Sequence, residues 1–138
     1  MRKSLILLSA ILFAACSKSS NNSVAPSGGN VSFSSDVQKI FTANCVLSGC
    51  HATASASAGN QNLSAGQAYS NIVNVASYEM PKYLRVKPSS SDSSYLYMKI
   101  TGDPRIAPYA QMPYGKAPLS SSDIQTIKNW IEQGAQNN

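Results

Sequence analysis

Cys45-Val46-Leu47-Ser48-Gly49-Cys50-His51 is the one stretch of this chain in which two thiols and the sole imidazole meet, and its reading decides the fold. Two thiols can add across the two vinyl groups of a haem, and a histidine directly after the second thiol is held under the iron, where an imidazole nitrogen is the proximal ligand. The commoner spacing is Cys-x-x-Cys-His; here four residues separate the cysteines. Gly49 allows the backbone angles that let extra residues bulge outward. The Cys50-His51 adjacency, which the chemistry cannot do without, is intact.

Other chemistries are open to the same residues. Cys45 and Cys50 can close a disulfide if the backbone turns back on itself, which would make the chain a stapled cell-surface binding module. A structural zinc site would need a fourth ligand such as Asp36, since no third thiol or second imidazole is at hand. Nucleophilic catalysis by either thiol with His51 lacks a third group to orient the base.

Outward from the cluster, the 138 residues leave room for a single domain after processing. Arg2 and Lys3 precede a short apolar run from Leu5 to Phe13, and Ala14-Ala15 supply small residues before Cys16. This is an export signal over residues 1–15, too short for a stable span. A cysteine directly after the small residues resembles a bacterial lipoprotein signal, with Cys16 the acylated first residue of the mature chain. Residues 16–30 are mostly Ser, Asn, Gly and Pro with one charge, Lys18, a composition that cannot bury enough apolar surface to order itself and so forms a tether. The domain occupies residues 31–136. The expected location is a bacterial cell envelope, anchored to a membrane by lipid and facing the periplasm or the outside.

The full chain has a net charge of +5, but without Arg2 and Lys3 nine basic residues face six acidic ones. No basic run or basic helix face appears, which argues against nucleic acid as a partner. Modest positive charge favours an acidic redox partner protein. Export also places Cys45 and Cys50 where disulfides persist, so haem and disulfide are the principal alternatives.

Periodicity predicts three or four helices with long loops and few strands, an all-α class. Residues 34–41 carry Val37, Ile40 and Phe41 on one face, with serine or aspartate to cap. Ser64 is positioned to cap a second helix bearing Ala68, Tyr69, Ile72 and Val73. A third runs over residues 91–100, with Tyr95, Leu96, Met98 and Ile100 apolar and Lys99 at the polar edge, ended by Gly102-Asp103-Pro104. Residues 104–118 form a Pro-rich loop holding Met112-Pro113. Ser120 to Asp123 resembles a capping box ahead of a helix with Ile124, Ile127, Trp130 and Ile131 on one face, stopped at Gly134. The chain is sparsely apolar for its size, so a buried cofactor would supply much of its core.

Taken in order, these elements resemble the small c-type cytochrome domains of bacterial exported and lipid-anchored proteins. The resemblance rests on Phe33-x-x-Asp36-Val37-x-x-Ile40-Phe41 before Cys45, Ser48-Gly49-Cys50-His51, Leu63-Ser64 with Tyr69, and Arg85-Val86-Lys87-Pro88. It continues through Asp92-x-Ser94-Tyr95-Leu96-Tyr97-x-Lys99-Ile100, Met112-Pro113, Leu119-Ser120, Ile124 and Trp130-Ile131-x-x-Gly134-Ala135. The longer cysteine spacer resembles a variant in this group. The resemblance implies a small helical domain with long loops around one covalent haem c, with His51 and Met112 as axial ligands and electron transfer, not turnover, as its activity.

The residue inventory leads to the same sixth ligand. With one histidine a bis-histidine iron is impossible, and a thioether is the remaining strong partner. Met98 sits in a helix as core filler. Met80 and Met112 both precede proline and are therefore held extended; Met112 lies just before the last helix, where the resemblance places the ligand, and is preferred on that ground, with Met80 the runner-up. Arg85, Lys87 and Lys116 could pair with propionates, with a solvated role the simpler expectation for each. Among Tyr69, Tyr95, Tyr97, Tyr109, Tyr114 and Trp130 some rings are candidates for haem packing, with general core or surface positions the expectation for most.

Overall fold

Residues 29–138 are described by the computed structural model; the export signal, Cys16 and most of the tether lie outside the described residues. Regular structure consists of α1 (Gln38–Asn44), α2 (Ala68–Ile72), α3 (Tyr95–Thr101) and α4 (Ser121–Glu132). A π-helical turn, Phe33–Val37, leads into α1, and short 3-10 turns occur at Ala56–Ala58, Ser91–Ser93 and Pro104–Ile106. Among the described residues there is no strand, and isolated bridges join Val73 to Val86, Ala76 to Leu84, and Leu84 to Ser94. The all-α class expected from periodicity is what forms. No described helix is long and apolar enough to cross a membrane.

The helix ends show which local signals acted. The first helical segment starts earlier than expected, because Ser32 is its cap: the Ser32 hydroxyl accepts the Ser35 N–H, and the Asp36 carboxylate accepts the Ser32 N–H in return. That is a capping box stretched by the wider π turn. For α4 the Ser120 hydroxyl accepts the Asp123 N–H, as the sequence predicts, and Gly134 follows with φ of 95°. The expectation for the second helix needs correction. Ser64 does not cap it, since the Ser64 hydroxyl donates to the Ala52 carbonyl, and only five residues, Ala68–Ile72, become helical. A hydroxyl free to satisfy a distant carbonyl is lost to the local cap.

The core lies where the two ends of the domain meet. Phe33, Val37 and Phe41 face Ile127, Trp130 and Ile131 of α4, with Leu63, Ile72, Val86 and Ile100 completing the cluster. Phe33 stacks obliquely on Trp130 with ring centres 5.2 Å apart and meets Tyr69 edge-on at 5.3 Å, a geometry that adds quadrupole attraction to apolar burial. Polar tips are satisfied: Trp130 Nε1 donates to the Gln136 carbonyl and the Tyr69 hydroxyl to the Ala135 carbonyl. Asn138 fastens the other end, accepting the Phe33 N–H on its side chain and the Ser34 N–H on its backbone.

Candidate functional site

Cys45 is delivered by α1. It forms the helix C-cap, with its N–H on the Phe41 carbonyl at 2.8 Å. The chain then loops outward through Ser48 and Gly49, both exposed, and returns so that the His51 N–H donates to the Cys45 carbonyl at 3.1 Å. Gly49 turns with φ of 77°, the left-handed region that a glycine enters without strain. The long spacer is thus absorbed as a bulge, and His51 is brought back to Cys45. Leu63 N–H on the His51 carbonyl fixes the return.

These residues open onto a cavity of about 230 Å³. Cys45, Cys50, His51 and Met112 all line it, and Leu63, Leu96 and Ile100 supply apolar wall. Its rim includes Tyr78 and Tyr114, which are 58% and 75% exposed. The expected site residues that fall within the described chain are therefore gathered on one cleft. Met80 and Met98 are not on it; both pack in a separate small cluster with Tyr95 and Ile106.

The electrostatics of the cleft are set by burial. It pushes the Cys45 thiol up to about 11, with Cys50 adding to the shift, so at neutral pH this thiol is protonated and a poor nucleophile. His51 is driven below its ordinary value, first by burial; the nearby carbonyls of Ala58 and Gln61 oppose this, and the charges of Lys99 and Arg85 reinforce it. Its Nδ1 is buried without a hydrogen-bond partner. Both thiols are free. Among the described residues no three His, Cys, Asp or Glu side chains gather as a cation site, and Asp36 is engaged with Ser32, so the zinc arrangement is not assembled.

Two charged residues behave differently from expectation. Arg85, expected to be solvated, is 8% exposed and donates to the carbonyls of Asn71, Gly59 and Asn60 at 2.7, 2.7 and 3.3 Å. It staples the loop after Ala58 to the end of α2 while bordering the cleft. Lys99, expected at a polar edge, is 7% exposed and paired with Glu79 at 2.9 Å; the Tyr95 hydroxyl donates to the same carboxylate oxygen. Burial, with that bond second, holds the Tyr95 phenol above its usual value. Glu79 carried no sequence signal, because its partner lies twenty residues away on α3. Lys116 borders the cleft and is exposed, whereas Lys87 does not border it. Tyr69 and Trp130 belong to the core, while Tyr95 and Tyr114 border the cleft.

Comparison with known proteins finds no family model, no curated protein and no solved structure that matches this chain.

Proposed function

We propose that this chain is an exported, lipid-anchored c-type cytochrome domain that carries electrons through one covalent haem c and is not itself an enzyme. The observation that carries the reading is the convergence of Cys45, Cys50, His51 and Met112 on one largely apolar cleft. The donor set suits the group. Two free thiols are available for thioether bonds, and His51 is an imidazole kept towards its neutral form, with one buried nitrogen lacking any partner within the protein. A buried polar atom left unpaired is costly unless something binds it.

When bound, a haem supplies an iron that exchanges single electrons at a potential set by its axial ligands and surroundings. The chain's part is to hold it. Cys45 and Cys50 would hold the macrocycle covalently, and His51 and Met112 would supply ligands to its iron. Methionine in place of a second histidine favours the reduced state. Arg85, Lys99 and Lys116 bring positive charge to the cleft against the single carboxylate of Glu79, a balance suited to propionates. Leu96, Ile100 and Leu63 exclude water from the apolar face. Anchoring through an acylated Cys16 and electron exchange with a redox partner protein complete the proposal.

The test is a pyridine haemochrome spectrum with intact mass on the mature chain, exported alongside cytochrome c maturation proteins. A c-type absorption and a mass increased by one haem are expected. A mass lighter by two hydrogens with no haem would instead make Cys45 and Cys50 a disulfide and the protein a surface binding module.

A further inference from the structure

Carbonyls at a helix C-terminus have no partner within the helix and must find one outside it. At the end of α3 the Met98 carbonyl takes the N–H groups of Gly102 and Asp103. The next two carbonyls are claimed by one distant segment: Lys99 accepts the Met112 N–H at 2.8 Å, and Ile100 accepts Gln111 Nε2 at 3.0 Å. Adjacent residues of the Pro-rich loop thus grip adjacent carbonyls of the helix. All other hydrogen bonds made by residues 107–118 are local, to residues 104, 106 and 113.

Residue 102 makes the grip possible. Gly102 ends α3 with φ of 69°, and a Cβ placed there would lie 2.7 Å from Gln111 Oε1 and 2.9 Å from its Cδ. The Gln111 side chain therefore lies across the bare face of the glycine. Only Met112, among the three methionines of the domain, faces the cleft with His51.

Building on the haem reading, we infer that Gln111, seated over Gly102, is a positioning residue for the Met112 thioether. It holds the loop to α3 so that the sulfur remains in the cleft. A thioether is a weak donor, and its hold on an iron depends on how often its loop swings away. Loosening the Gln111 contact would release the sulfur without touching Cys45, Cys50 or His51.

The test is titration of ferric, fully matured protein with imidazole, whose nitrogen lone pair replaces that of the Met112 sulfur. Wild type, Gln111→Ala, Gly102→Ala, the double variant and Met112→Ala are compared, with thermal midpoints taken on the same samples. Gln111→Ala is expected to bind imidazole roughly three- to tenfold more tightly, the equivalent of one lost hydrogen bond. Gly102→Ala should act in the same direction by displacing Gln111, and the double variant should not exceed the stronger single, since both act through one contact. A lowered midpoint with imidazole affinity within about twofold of wild type, or fully additive singles, would overturn the inference. If Met112→Ala itself binds imidazole no more tightly than wild type, the sulfur is not a ligand, and it is the axial assignment that fails, taking this inference with it.

Discussion

Trp130 and His51 are both withdrawn from water, yet their surroundings differ in kind. The indole is fully buried and its one polar atom is satisfied by the Gln136 carbonyl. The imidazole is half-buried with its Nδ1 withdrawn from water and unpaired, on a cleft that Arg85 and, from α3, Lys99 also line. Around Trp130 the chain has closed its own accounts of shape and hydrogen bonding; around His51 a buried ring nitrogen is left without a partner. Saturated packing is what stability requires, whereas buried, perturbed and unpaired groups gather where ligands bind.

If that division is right, substitutions should separate stability from cofactor chemistry. The largest loss is expected from Trp130→Ala, about 3–5 kcal/mol in denaturant unfolding from the cavity left among Phe33, Tyr69 and Ile131. A loss under about 1 kcal/mol would mean that the terminal cluster is not the stabilising core.

Arg85→Met comes next and blurs the boundary on purpose. It strips three carbonyls of their donor, and about 2–3 kcal/mol should be lost in the haem-free chain. An unchanged unfolding midpoint would show that the cleft's walls hold without it and that Arg85 serves only the ligand.

Met112→Ala should divide the two properties most cleanly. The residue is half-buried in a loop, so stability of the haem-free chain should fall by no more than about 1 kcal/mol. Covalent haem should persist while the low-spin, methionine-ligated spectrum disappears. An unchanged spectrum would pass the assignment to Met80 or Met98.

The smallest effect concerns acid. The Glu132 carboxylate is held below its ordinary value by the Ser91 hydroxyl and N–H. A carboxyl group with a lowered folded-state pKa contributes stability present above its unfolded value, about 4.5, and lost as pH falls through the folded value. Because Glu132 is largely exposed, the contribution is screened. Glu132→Gln should lower stability slightly near neutrality, converge on wild type in acid and so flatten the profile below that pH; a profile that keeps its full acid slope would show that the Ser91 contact contributes nothing measurable.

How much of this was open to sequence reading depends on the distance over which each feature is decided. The α4 start at Ser120, the apolar face of Val37, Ile40 and Phe41, and the stop at Gly102 are settled within a turn or two of chain. The Cys45, Cys50 and His51 cluster was equally visible, because its adjacency is covalent. Ser64 misled, since its hydroxyl is spent twelve residues back on Ala52. Arg85 and Lys99 misled for a related reason: a charged residue is read as solvated until the carbonyls or carboxylate that accept it come into view.

The amino-acid sequence by itself determined the helical class, the start of α4 and the stop of α3, and the thiols and imidazole available for a ligand, because these follow from side-chain period, local capping and neighbouring positions along the chain. Only the tertiary structure decided that Met112 and not Met80 or Met98 shares the cleft with His51, that Arg85 and Lys99 are buried there, and that Gln111 grips the end of α3. Each depends on groups separated by 11 or more residues, and such pairings form only when the packed core brings distant segments within hydrogen-bond reach.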